Sequence, residues 1–183
     1  MNFTLEDLEA LARRAPVSDP NLHNPDSNPF YHFLYHVTNF YRPKSVLEIG
    51  TDKGDSACHL AAGCAESQIV TVDQATSPTI FDRIKPWPNV TFLHFNVNDV
   101  VGCPAALQGW APFDIFYEDG EHSGGQVSGE WAHYVPLVRP GGLIIMDDIN
   151  LPTGIRAFWD AIGWPKAEFP WLHDTGYGVV LKP

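Results

Sequence analysis

Basic residues are scarce in this chain: 11 Lys and Arg stand against 22 Asp and Glu over 183 residues, a formal net charge of −11. Such a balance repels nucleic-acid phosphates unless a basic groove is set apart, and no cluster of Lys or Arg supplies one, so no nucleic-acid partner is expected. Long apolar runs are missing as well. No stretch approaches the roughly 18 residues that cross a bilayer, which argues against a membrane partner. The opening M-N-F-T-L-E-D-L-E-A-L-A-R-R lacks the basic start and apolar centre of a signal peptide, so a cytoplasmic location is expected. Cysteine is limited to Cys58, Cys64 and Cys103, an odd number with no zinc-ligand spacing. They read as small core residues and exclude a disulfide framework.

What the chain does have is core material, 44% hydrophobic and 13% aromatic residues, enough for one domain spanning 1–183. Residues 1–42 read as N-terminal helices with a Pro-rich loop, and 43–183 as a ligand-binding core. Phe3, Leu5, Leu8 and Leu11 suit a short amphipathic helix, and Pro16, Pro20, Pro25 and Pro29 punctuate the loop at 16–29. Asn28 offers an N-cap before Pro29; Phe30, Phe33, Leu34, Val37 and Tyr41 then recur at helical spacing up to Pro43. That stripe reads as core, while Tyr31 and Tyr35 stay open as a ligand wall.

From Ser45 onward strand and helix signals alternate. Strands are expected at 45–49, 68–72, 90–95, 113–118 and 143–146, the last introduced by Pro140-Gly141-Gly142. Helices are expected at about 55–65, 78–85, 103–108 and 124–137. After a helix near 154–162, runs at 167–172 and 177–181 flank a turn too short for a crossover, so they must pair antiparallel. The fold class is α/β: a Rossmann-like, doubly wound, seven-stranded sheet, mostly parallel with a C-terminal antiparallel hairpin.

Four of the strands end at carboxylates: Glu48, Asp73, Glu118-Asp119 and Asp147-Asp148. In an open α/β sheet ligands bind outside those ends, and clustered acids there mark a site. Asp55 and Asp99 read instead as ordinary helix caps. The loop Gly50-Thr51-Asp52-Lys53-Gly54 follows the first strand and precedes a helix, which brings backbone N–H groups up to a small ligand. Asp73 lies about 20 residues further on, as a carboxylate that accepts from ribose hydroxyls does. Asp52, however, stands where a dinucleotide fingerprint has its second glycine, and a carboxylate there repels pyrophosphate. A cofactor with a ribose and no phosphates, S-adenosylmethionine, meets this description.

V-L-E-I-G-T-D-K-G-D-S-A, D-I-F-Y-E-D-G-E-H (114–122) and P-L-V-R-P-G-G-L-I-I-M-D-D-I (136–149) resemble, in order, motifs of the class I S-adenosylmethionine-dependent methyltransferases. D-G-x-H and P-G-G-x-x-x-x-D-D are similar to those of the small-molecule O-methyltransferases of the methyltransferase-24 and catechol-type group. The resemblance covers about residues 30–183. It implies that Glu48, Gly50, Thr51 and Gly54 serve the methionine half of the cofactor, Asp73 the ribose and Asn96 the adenine, with Asp119 at the cofactor edge. It implies a divalent ion, Mg²⁺, on Asp119, Asp147 and Asp148. The bland alternative is that Asp147 and Asp148 cap the next helix.

For the chemistry, His122 stands at the active edge beside Asp119 and suits a general base for a hydroxyl proton. His133 and the other histidines carry no such placement. Where the family commonly has a Tyr two residues past the histidine, this chain has Gly124 and then Gly125, either to give substrate room or because the segment orders with ligand. The expected activity is O-methylation of a small molecule. A non-catalytic binding module of the same fold is the alternative, and a nicotinamide dehydrogenase is disfavoured by Asp52 and the hairpin. The acceptor site is expected from residues 16–41, 122–131 and 150–173; of Trp159, Trp164, Phe169 and Trp171 in the last stretch most read as core, with an aromatic acceptor wall as the other use, and association into homo-oligomers is left open.

Overall fold

The computed structural model describes residues 2–19, 21–22, 29–99 and 101–183. Asn28, the expected N-cap, lies outside them, as do Pro20 and Pro25. Seven strands form one sheet in the order β3-β2-β1-β4-β5-β7-β6, where β1 is Ser45–Ile49, β2 Gln68–Asp73, β3 Val90–His94, β4 Phe113–Glu118, β5 Val138–Asp147, β6 Lys166–Glu168 and β7 Tyr177–Leu181. β1 through β5 are parallel; β7 runs antiparallel between β5 and β6. The expected doubly wound sheet with its closing antiparallel pair is therefore present.

Alternation along the strands divides the core. Val46, Ile115, Tyr117, Leu143, Ile145, Tyr177 and Val179 face one layer, which holds α1 (Leu5–Ala12), α2 (Pro29–Tyr41) and α3 (Asp55–Gly63). Leu47, Ile49, Phe116, Ile144, Met146 and Val180 face the other, with α5 (Gly102–Leu107), α6 (Gly124–Tyr134) and α7 (Ile155–Ala161). α4 (Pro78–Ile84) follows β2, capped by the Ser77 hydroxyl with Pro78 in its first turn. Phe30, Phe33, Leu34, Val37 and Tyr41 are all buried, so the aromatic stripe of α2 is core. No helix among the described residues is long and apolar enough to cross a membrane.

Three expectations change. β5 begins at Val138, so Pro140-Gly141-Gly142 lies inside the strand as a bulge: Phe113 pairs with Val138, and Ile115 with Leu143. The chain after β7 holds that bulge, with Gly141 N–H donating to the Lys182 carbonyl and Lys182 N–H to Gly142. The first hairpin strand is only Lys166–Glu168, because the chain breaks away at Phe169-Pro170 and Pro170 cannot donate to a ladder. α6 ends at Tyr134 and tightens into a 3₁₀ turn at Val135–Leu137, where Pro136 lacks the N–H that an α-helix needs.

Candidate active site

β1 delivers two things to the carboxyl edge of the sheet. Glu48 faces the α3 layer like Val46, is fully buried, and has no hydrogen-bond partner on either carboxylate oxygen. Burial pushes its pKa up to about 7, against the opposing pull of the Ser56 and Thr71 hydroxyls nearby. Beyond it the chain turns at Gly50 with φ +93°, and a Cβ placed there would sit 1.8 Å from the Asp119 carbonyl oxygen. Only glycine lets the β1 and β4 ends approach this closely.

Asp73 fastens that turn. Its Oδ2 accepts from the N–H groups of Thr51 and Asp52, both at 2.9 Å, and its Oδ1 accepts from Ala75 N–H at 2.8 Å. The Thr51 hydroxyl meets that of Thr71 at 2.5 Å. Gly54, with φ +88°, is the N-cap of α3. Asp55 begins that helix and, rather than capping it, pairs with Arg83 of α4; Asp99 does cap α5, accepting from Val101 and Gly102 N–H.

A cleft of about 770 Å³ opens outside these strand ends. Of the expected residues it is lined by Gly50, Thr51, Asp73, Asp119 and His122; Glu48, Gly54, Asp147 and Asp148 do not line it. Asn96 is not brought there. It is exposed, its Oδ1 accepts from Asn98 N–H at 3.0 Å, and Val97 and Asn98 line the cleft in its place. Tyr31 of α2 does form a wall, stacked on His59 with ring centroids 5.2 Å apart; Tyr35 does not. None of the four aromatics at 159–171 lines the cleft. Trp159 and Phe169 are core, Trp164 packs on Trp131, and Trp171 lies under Arg13.

The ends of β4 and β5 gather the remaining acids. Asp119 Oδ2 accepts from the Tyr117 hydroxyl at 3.0 Å, and burial with the charge of Asp147 raises its carboxyl well above the ordinary range. His122 Nδ1 lies 2.6 Å from Asp148 Oδ2. Asp148 Oδ1 accepts from the Thr175 hydroxyl, and Asp147 Oδ1 lies 2.7 Å from His173 Nδ1. Burial lifts the Asp147 carboxyl, a rise that the His173 contact reduces without cancelling, and the same contact raises the His173 imidazole. Among the described residues, the side chains close enough together for an ion are Asp147, Asp148 and His173. Asp119, expected as a ligand beside them, is not among these three; its Oδ2 accepts from the Tyr117 hydroxyl. Helix capping does not occupy Asp147 and Asp148 either, since Gly154 is the N-cap of α7.

Two features escaped sequence reasoning. Glu118 and Glu130 are both buried on the other side of the sheet, where burial and mutual repulsion push Glu118 well up; Gln126 donates to Glu130 at 2.9 Å. A helical acid two turns past D-G-E-H carried no local signal. Gly124 has a packing reason the sequence did not show: a Cβ there would lie 2.5 Å from the Gly154 carbonyl carbon, and its N–H donates to the Thr153 carbonyl. The glycine is required by backbone packing of α6 on the loop before α7.

Comparison with known proteins decides the family. The profile of a methyltransferase-domain family, methyltransferase-24, matches residues 47–149, from β1 to just past β5. The chain belongs to this family. This methyltransferase domain is 33% identical over 66 residues to mycinamicin VI 2''-O-methyltransferase of Micromonospora griseorubida; the match covers 36% of the chain and only 15% of that relative. In fold it is similar to the O-methyltransferase TomG of Streptomyces achromogenes, solved with SAM (TM-score 0.71, 18% identity, 97% and 96% of the two chains). It is also similar to the MycE methyltransferase of the mycinamycin biosynthetic pathway, solved with Mg and SAH (TM-score 0.61, 19% identity), of which it covers 49%.

Proposed function

We propose that this methyltransferase domain, one unit over 1–183, moves the methyl group of S-adenosylmethionine to a hydroxyl oxygen of a small molecule. The observation that carries the reading is a single cleft with the Gly50–Gly54 turn at one end and His122, held by Asp148, at the other. The residues fit the cofactor. Glu48 is a buried carboxylate without a partner behind the turn, Gly50 leaves no room for a side chain, and the Asp52 carboxylate lines the cleft, a charge suited to a sulfonium and an ammonium group. Asp73 has two roles here, holding the turn and facing the ribose. TomG, named as an O-methyltransferase and solved with SAM, and MycE, named as a methyltransferase and solved with Mg and SAH, support the same reading.

When bound, the cofactor supplies an electrophilic methyl on a positively charged sulfur. The chain's own contribution is orientation and proton removal. With Asp148 accepting from Nδ1–H of His122, Nε2 keeps its lone pair and can take the hydroxyl proton, while Asp148 stabilises the resulting imidazolium. Asp147 and Asp148 would hold a divalent cation, which when bound acidifies and orients the substrate hydroxyl. Calorimetric titration with S-adenosylhomocysteine and a methyl-transfer assay over small hydroxylated acceptors test the reading. The expected result is binding, with turnover lowered about 10²–10⁴-fold in His122→Ala and binding retained. No binding by the intact chain overturns it; binding without turnover on any acceptor favours the non-catalytic module.

A further inference from the structure

Tyr31 reaches the cleft from α2, outside the stretch 47–149 that the family profile matches. Two neighbours lock its ring. His59 of α3 stacks on it with centroids 5.2 Å apart and planes 22° apart, and Phe30 meets it at 4.3 Å and 61°. His59 is buried, its Nδ1 lies 2.7 Å from the Asp55 carbonyl oxygen, and burial lowers its imidazole, so the stacked ring is neutral. The charged or chargeable groups that face the Tyr31 phenol are all carboxyls, Asp119 first and then Asp55, Glu48 and Asp52. Asp119 stands at the end of β4, and the other three on β1, in the turn after it and at the start of α3. Tyr31 therefore overlooks the span between the glycine turn and the end of β4. With the methionine half of the cofactor at the turn and the acceptor hydroxyl at His122, the cofactor's sulfur has to lie on that span for the methyl group to pass.

A sulfonium spreads its charge over its carbons and has no N–H to donate, so a carboxylate attracts it without a hydrogen bond. Two of the acids here are already engaged, Asp55 with Arg83 and Asp119 with the Tyr117 hydroxyl. An aromatic ring attracts such a cation with no charge of its own. We propose that the Tyr31 ring recognises the sulfonium charge of S-adenosylmethionine, so that α2 adds a cofactor-recognition residue to the site and lets it tell the methyl donor from the spent product. Methyl transfer turns the sulfonium into an uncharged thioether, and S-adenosylhomocysteine gains nothing from the ring. Loss of that attraction favours exchange of the product for fresh cofactor. The inference rests on the function proposed above, from which it takes the cofactor and its direction in the cleft.

Calorimetric titration of the full chain with S-adenosylmethionine and, separately, S-adenosylhomocysteine tests this in the unaltered protein, in Tyr31→Phe and in the ring-free variants Tyr31→Leu and Tyr31→Met. Tyr31→Phe keeps the ring, so its ratio of the two affinities should match that of the unaltered chain within about twofold. Tyr31→Leu and Tyr31→Met should weaken S-adenosylmethionine about fivefold or more and leave S-adenosylhomocysteine within about twofold. That ratio is a readout that packing alone does not move, because a wall lost for its shape weakens both ligands together. S-adenosylhomocysteine binding also reports that each variant is folded. Equal weakening of both ligands in the ring-free variants, no change in either ligand, or a fall of the ratio in Tyr31→Phe as large as in Tyr31→Leu, which assigns the contact to the hydroxyl, would each overturn the proposal. If the ratio falls as described and no acceptor is methylated, the proposed transfer fails and the role of Tyr31 stands. If acceptors are methylated and the ratio does not move, Tyr31 loses this role and the transfer stands. No binding of either ligand by the unaltered chain overturns both.

Discussion

Glu48 carries a negative charge only at a cost, because burial holds its proton up to about pH 7 where an ordinary glutamate releases it near 4.5. The folded chain therefore binds more protons than the unfolded one between those values, and stability falls as pH rises through that window. Glu48→Gln should stabilise the ligand-free chain by about 3 kcal/mol at pH 8 and by little at pH 4. It should also weaken S-adenosylhomocysteine about tenfold, by losing attraction for its ammonium group. Melting curves at both pH values check this; an equal shift at the two would contradict it. At Gly50 the expected outcome of Gly50→Ala is a lower Tm and loss of cofactor binding in calorimetry, since the new methyl group meets the Asp119 carbonyl in a left-handed turn. The placement of both residues was legible in the sequence, because a strand end and a glycine turn are local patterns. For Asn96 the sequence carried no sign that its side chain closes a local turn, which only the folded loop reveals.

Elements are joined at their other ends by Asp114. From β4 it accepts from Lys44 N–H at 2.6 Å and from Arg139 Nε, also at 2.6 Å, so it ties the start of β1 to the bulged stretch of β5. Burial alone would raise this carboxyl, but the Arg139 and backbone hydrogen bonds win and hold it below the ordinary range. A lowered carboxyl contributes stability that is present above the unfolded value and lost as pH falls through the folded one. Asp114→Ala is expected to cost about 2–3 kcal/mol near neutral pH in urea unfolding, with the gap to the unaltered chain closing in strong acid. The strand count and the antiparallel closing pair could be read from turn lengths. The bulge could not: Pro-Gly-Gly looks like a strand boundary until the residues after β7 pair with it.

For the whole molecule, the sheet is sealed on its α5–α7 side by Trp159. That ring is fully buried, its Nε1–H donates to Glu168 at 2.8 Å, and it packs so close to Gly178 that a Cβ there would lie 2.4 Å from it. Trp159→Ala should cost about 3–5 kcal/mol and lower the Tm by about 10 °C, measured by calorimetry. Sequence read most of the C-terminal aromatics as core without saying which, because an aromatic in a C-terminal helix carries no mark of which way it faces.

By itself the sequence determined the alternation of elements, the glycine turn with its carboxylates, and the motifs that placed the chain among methyltransferases. All of these are patterns within a few residues or in their order along the chain. Tertiary structure decided which groups meet. It turned Asp119 to Tyr117, set His122 on Asp148, laid His173 over Asp147 and buried Glu118 against Glu130. The physical reason is that strand pairing and helix packing bring together side chains from distant parts of the chain, and no local spacing encodes those distances.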